Sequence, residues 1–284
     1  MKTCVVTGAN GFVGGRVKNY LQRAGWHVRE WTRSPKPGSD AVAFQLGQEV
    51  SAEQFRGIDA LVHCAYDFYA RGWEQIYRVN VQGTGNVLRA AQAAGVPRVV
   101  FISSISAFAG CRSLYGKAKM ESEAVALSLG QLVIRPGLVY GPEPGGVFGR
   151  IANQVKNSRV VPIIAGGAQT QYLVHEEDLA NVIVRYLNGD LGSIKEPLTV
   201  ANDEGLELKQ IMRELARAYR KSLTFVPVPW QAVWLVLRTG EAAGLKLNFR
   251  SDSLIGMVYQ NRNPSFALLK SLGLSCRPFA FAGV

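Results

Sequence analysis

The sequence predicts an α/β protein: a doubly wound parallel sheet with a smaller, mostly helical lobe towards its C-terminal end. Three observations carry this. Short, continuous apolar runs alternate with helical patterns over the first two-thirds of the 284 residues. A glycine-spaced turn follows the first run and opens the first helix. Beyond residue 146 the alternation loosens, prolines and glycines cluster, and helical patterns dominate.

In chain order, β-rich runs fall at 2–7 (KTCVVT), 27–32 (HVREWT), 41–44 (AVAF), 59–64 (DALVHC), 98–103 (RVVFIS) and 131–135 (QLVIR). Helical patterns lie between most of them, notably at 12–24, 73–94 and 113–128. Strands that are apolar throughout need helices on both faces, so the sheet should be parallel and covered twice. Further helices are expected at 176–188, 207–220, 230–243 and 265–272. The division that follows is a nucleotide-binding domain over 1–141, with 171–200 returning to it. Residues 142–170 and 201–284 then form a substrate lobe. Ligands of open α/β sheets bind beyond the carboxyl ends of the strands, so the two parts should meet there. The apolar stretch WQAVWLVL (230–237) is well short of the roughly 20 residues that cross a bilayer and is expected to be a buried helix.

Composition narrows the class. The chain is 48% hydrophobic and 19% charged, which suits a globular core. Its four cysteines (Cys4, Cys64, Cys111, Cys276) are far apart and its three histidines are scattered, so no metal site is expected. Free thiols and the lack of a signal-peptide pattern at MKTCVVTGANGFVGG point to a cytoplasmic protein. The net charge of +11 is spread along the chain without a Lys/Arg block, so nucleic acid is not an expected partner. A small-molecule substrate is.

TGANGFVGG (7–15) sets Gly8, Gly11 and Gly14 three residues apart between strand and helix. Glycines there allow a tight turn, and the helix start offers free N–H groups to a pyrophosphate. This is a Rossmann-type dinucleotide site, with Gly8, Asn10, Gly11, Phe12, Val13 and Gly14 at the phosphates. The second strand ends Trp31-Thr32-Arg33-Ser34, where an NAD site tends to carry a carboxylate. Thr32 and Arg33 therefore predict NADP, whose 2′-phosphate an arginine can grip, over NAD. At SSISAFAGCRSLYGKAK (103–119), Tyr115 and Lys119 project from one helix face. A nearby ammonium favours a phenolate, so the pair reads as a proton-transfer device beside a hydride carrier.

With TGANGFVG (7–14), DALVHCA (59–65), NVQGTGNVLRAA (80–91), VVFISSIS (99–106), YGKAK (115–119), RPGLVYGP (135–142) and VHEEDLA (174–180) in this order, the chain resembles the extended short-chain dehydrogenase/reductase family, its NAD-dependent epimerase/dehydratase group. The resemblance covers about the first 190 residues. It implies an NAD(P)-dependent enzyme in which Tyr115 is the acid/base and Lys119 also holds the nicotinamide ribose. It places a hydroxyl at the end of the fifth strand. Counted from the strand this is Ser104, with Ser106 as the alternative; counted back from Gly110, Ile105 takes the place. Cys64 and Ala65 would wall the cofactor cleft. Pro136 would pack against the nicotinamide, and Val139 would meet its carboxamide. Asn80 would hold the sheet in register with its neighbouring helix, and Asp178 would be structural. A homodimer paired through helices including the one carrying Tyr115 is also implied.

Three reactions fit: hydride transfer to or from a carbonyl or alcohol, epimerisation or dehydration of a nucleotide sugar, or cofactor sensing without catalysis. The segment before VHEEDLA reads AQTQYL, with Gln169 and Gln171 where relatives acting on nucleotide sugars often carry an arginine for the diphosphate. The oxidoreductase reading leads. A sensor would not need the Tyr115/Lys119 pair.

Overall fold

The computed structural model describes residues 1–36, 38–245, 247 and 249–281. The N-terminal part runs β1 (Thr3–Thr7), α1 (Phe12–Arg23), β2 (His27–Thr32), β3 (Val42–Ala43) and β4 (Ala60–His63). It continues through α2 (Gly72–Ile76), a π-helical segment (Tyr77–Gln82), α3 (Gly83–Ala93), β5 (Arg98–Ile102), α4 (Leu114–Ser128), β6 (Leu132–Pro136) and β7 (Leu138–Tyr140). The rest comprises α5 (Gly146–Asn157), β8 (Val160–Ile164), β9 (Thr170–Gln171), β10 (Leu173–His175), α6 (Glu176–Asn188) and β11 (Leu198–Val200). Last come β12 (Leu206–Glu207), α7 (Leu208–Ala218), β13 (Thr224–Val228), α8 (Trp230–Ala242), α9 (Ser251–Val258) and α10 (Ala267–Ser271).

Seven strands form one sheet in the order β11-β6-β5-β4-β1-β2-β3, and every pairing in it is parallel. The chain winds outward one way from β1 to β3 and the other way from β4 to β11. The switch point lies between β1 and β4, and a crevice opens there at their carboxyl ends. The central strands β1, β4, β5 and β6 are mostly apolar because both faces are covered, whereas β2 also carries His27, Arg29 and Glu30. One face is buried with Val17 and Leu21 of α1, Leu179 and Ile183 of α6, and Leu269 of α10. The other packs against Trp31, Phe55, and Val87 and Leu88 of α3. A separate apolar cluster (Phe148, Val155, Val161, Ile211, Leu215) joins α5, β8 and α7.

The expected helix over 73–94 is interrupted: Tyr77–Gln82 is π-helical between α2 and α3. Asn80 lies in that segment. Its side chain accepts from Asp67 N (2.6 Å) and donates to Asp67 O (3.1 Å), so it ties the loop leaving β4 to this helical segment. The larger departure is α8. The helix forms at Trp230–Ala242, yet none of its residues is buried, and Leu235 and Val236 are 58% and 70% exposed. Apolar content shows that a segment would be stable if covered; it does not supply the covering element.

Candidate active site

The crevice between β1 and β4 is built around one hydroxyl. Thr7 Oγ1 accepts from the amides of Cys64 and Ala65, each at 3.2 Å. Its own proton then goes to His63 Nδ1 at 2.7 Å, which leaves Nε2 protonated to donate to Thr84 Oγ1 at 3.1 Å. His63 is fully buried, and desolvation, helped by the Lys119 charge, pushes its pKa down to about 3. It is a neutral structural tie that locks the ends of β1 and β4.

The glycine turn sits directly above. Gly8 has φ +68°, and a Cβ there would lie 3.0 Å from the Ala65 backbone; a Cβ on Gly14 would lie 2.3 Å from Gly8 O. Gly11 caps α1 without a side-chain hydrogen bond, and the first turn of α1 holds no acidic residue. The first-turn amides of Phe12, Val13 and Gly14 therefore have no capping side chain, which fits an anionic phosphate bridge. The ring of Phe12 faces elsewhere, against Gly145 and Gly146. Asn10 donates to Thr32 Oγ1 (2.8 Å), and that oxygen also accepts from Ser34 N (3.0 Å). These two residues tie the turn to the end of β2. Arg33 is exposed, with its guanidinium 5.5 Å from the centre of the Tyr69 ring. No carboxylate stands at this strand end. The nearest acid along β2, Glu30, pairs with Lys18 at 3.2 Å. Of the other positions expected at the cofactor, Pro136 ends β6 and its carbonyl accepts from Ile105 N at 3.0 Å. Val139 is buried in β7, opposite Val174 of β10.

Across the crevice, α4 begins at Ser113, whose hydroxyl accepts from Gly116 N. Tyr115 and Lys119 lie one turn apart on its inner face. Ser104, whose hydroxyl accepts from Ser106 N at 3.1 Å, lies beside the Tyr115 phenol. Burial raises the Tyr115 pKa, and the Ser104 hydroxyl opposes that. Lys119 is 4% exposed and donates to Ile102 O at 2.8 Å. Burial pushes its pKa down to about 8, with Cys64 and Glu123 pulling the other way. Cys64 itself is pushed up to about 12 by burial, an inert thiol. The rings of Tyr66 (4.9 Å, edge-on) and Phe68 (6.0 Å, stacked) wall Tyr115, and Tyr66 also covers the Lys119 ammonium at 5.2 Å.

One turn beyond Lys119, Glu123 anchors α4 to the sheet. It takes Arg135 of β6 in a two-point pair (2.8 and 2.5 Å) and accepts from Ser103 Oγ at 2.5 Å. Ser103 thus faces away from Tyr115. Asp178 is held by Arg277 at 2.7 Å. Sequence reasoning missed Glu123, Arg135, Tyr66, Phe68 and Asp252, which hydrogen-bonds the start of α4. The i, i+4 spacing of Lys119 and Glu123 was the one signal available for any of them. Among the described residues no group of three or more potential metal ligands occurs. None of their helices is long and apolar enough to cross a membrane.

Residues 4–200 match the profile of the NAD dependent epimerase/dehydratase family. The chain belongs to that family. It is an enzyme of the extended short-chain dehydrogenase/reductase type, an NAD(P)-dependent oxidoreductase in the broad sense. Family members of two kinds are similar along most of its length. A UDP-glucose 4-epimerase of Vibrio cholerae is 26% identical, covering 86% of this chain and 83% of its own. A ceramide reductase of Caulobacter vibrioides is also 26% identical, covering 79% of this chain and 73% of its own. The fold is that of the UDP-glucose 4-epimerase from Thermotoga maritima with UDP-glucose: TM-score 0.73 at 19% identity, covering 98% of this chain and 94% of that one.

Proposed function

We propose that this family member is an oxidoreductase that prefers NADP(H) and reduces or forms a carbonyl on an apolar substrate. Tyr115 is its acid/base, Ser104 its orienting hydroxyl and Lys119 its buried cation. The observation that carries this is a half-buried phenol beside the Ser104 hydroxyl, one helical turn from a buried lysine. A bound nicotinamide would supply the hydride. Burial raises the Tyr115 pKa above its ordinary 10, so the phenol is protonated at neutral pH and suits donation of a proton to a carbonyl oxygen. Ser104 shares the developing charge on that oxygen. In the reverse direction the Ser104 hydroxyl favours loss of the phenolic proton. Gly8, Asn10, Gly11, Phe12, Val13, Gly14, Cys64, Ala65, Pro136 and Val139 line the cofactor, with Thr32 and Arg33 at its adenosine end. Arg33 is free of carboxylates and open to a 2′-phosphate.

The aromatic walls Tyr66 and Phe68, and similarity to a protein named ceramide reductase, favour an apolar substrate body. Residues 142–170 and 201–284 form the lobe that would hold it. The second reading, epimerisation or dehydration of a nucleotide sugar, rests on similarity to the Vibrio cholerae epimerase. Against it, Gln171 is engaged with Gln260 at 2.8 Å, and no arginine stands in the stretch before β10. The protein is proposed to work in the cytoplasm as a homodimer. The proposed pairing face is the surface of the π-helical segment, α3 and α4 lined by Tyr77, Val81, Gln82, Asn86, Arg89 and Val125.

The test is a turnover screen with NADPH and NADH, one arm offering aldehydes and ketones, the other UDP-sugars followed by mass spectrometry. The reading expects net NADPH oxidation that falls at least about a hundredfold in Tyr115→Phe, and loss of the NADPH preference in Arg33→Ala. Isomerised sugar without net cofactor turnover supports the second reading, and full activity in Tyr115→Phe removes the mechanism.

A further inference from the structure

We infer that Asp252, assisted by Arg250, is a positioning residue for proton transfer at Tyr115, supplied by the distant end of the chain. This rests on the reading of Tyr115 as the acid/base. The first turn of α4 carries no acidic residue, and Ser113 satisfies only Gly116 N among the amides there. The next two donors are taken from 137 and 138 residues away: Asp252 Oδ2 accepts from Tyr115 N at 3.1 Å, and Oδ1 from Leu114 N at 2.7 Å. A carboxylate at a helix N-terminus meets both the unpaired amides and the positive end of the helix dipole. Here it fixes the backbone of the residue that carries the phenol.

Two residues earlier, Arg250 holds the loop whose rings face that phenol. Its guanidinium donates to Phe68 O (3.0 Å) and Ala70 O (3.2 Å), the strap whose Phe68 and Tyr66 rings wall Tyr115. The segment is itself braced by Glu241 of α8, which accepts from Ser251 N (2.8 Å) and Ser251 Oγ (2.7 Å). One short stretch, 250–252, therefore holds both the base of Tyr115 and the wall against it. A displacement of about 1 Å at a proton-transfer group costs up to about a hundredfold in rate, whereas cofactor contacts on β1 and α1 are untouched by this stretch.

The experiment compares wild type with Asp252→Ala, Asp252→Asn and Arg250→Ala. Three quantities are read: steady-state NADPH oxidation with decanal as the carbonyl, NADPH affinity by nucleotide fluorescence, and hydrogen exchange at the Leu114 and Tyr115 amides. Asp252→Ala is expected to lower kcat between about 10- and 100-fold while NADPH affinity stays within about twofold. Asparagine keeps one capping oxygen and should recover much of the loss. Both amides should exchange faster in Asp252→Ala, and Arg250→Ala should lower kcat without that change. An unchanged kcat in Asp252→Ala overturns the inference. So does a joint fall of kcat, NADPH affinity and Tm with asparagine no better than alanine, because that is a merely structural role. If wild type binds NADPH but turns over no decanal, the functional reading fails for that carbonyl and the exchange arm decides the contact alone. Equal exchange in wild type and Asp252→Ala then overturns it.

Discussion

Lys119 carries a charge where water is excluded. Its surroundings offer one carbonyl at 2.8 Å, the faces of Tyr66 and Phe101 at 5.2 and 4.8 Å, and the more distant Glu123. Folding lowers its pKa from the ordinary 10.5 to about 8. Between those values the unfolded chain binds more protons than the folded one, so this residue makes stability rise with pH across that window. The difference in Tm between wild type and Lys119→Met should therefore shift in favour of wild type between pH 7.5 and 9.5. Thermal melts at several pH values check this, and a pH-independent difference would contradict it.

At the scale of elements, the site depends on how α4 and β4 are fastened to the sheet. Glu123 joins α4 to β6 through Arg135 and to β5's end through Ser103, and it is 3% exposed. Removing one partner of a buried pair leaves the other uncompensated. Glu123→Ala should thus cost about 3 kcal/mol or more in urea unfolding, and a loss below about 1 kcal/mol would show the pair to be idle. His63 makes the second fastening. Its folded pKa of about 3 against an ordinary 6.5 means that the unfolded state takes up a proton the folded state refuses. Stability on this account is complete above pH 6.5 and is lost as the pH falls from there towards 3. His63→Asn should flatten the acid limb of the stability profile by about one proton. An unaltered slope would argue against the neutral tie.

For the molecule as a whole, the second lobe reaches back to the first at several points. Arg277 binds Asp178 and Glu177 of α6, Tyr140 OH donates to Pro278 O, and Asp252 meets α4. These polar contacts add to the apolar packing of Leu269, Leu274 and Cys276 in the sheet's core, while α8 lies outside both cores. Leu235→Ser with Val236→Ser should leave stability within about 0.5 kcal/mol per site, as surface changes do. A helix packed in a core would lose about 2 kcal/mol or more at each.

The sequence by itself determined the parallel sheet, the crevice at its switch point and the Tyr115/Lys119 pair. Each is encoded locally: β-branched runs, three glycines at fixed spacing, two residues one helical turn apart. It left Ser104 and Ser106 open, because a strand pattern cannot say where a loop turns; the folded loop puts Ser104 Oγ within reach of Ser106 N and beside the phenol. Asp252, Arg250, Phe68 and the Glu123–Arg135 pair were decided by tertiary structure alone. Their meaning comes from partners 12 to 182 residues away, a separation no local pattern encodes. The same reason explains α8: its apolar content was legible, but whether anything covers it depends on how distant elements pack.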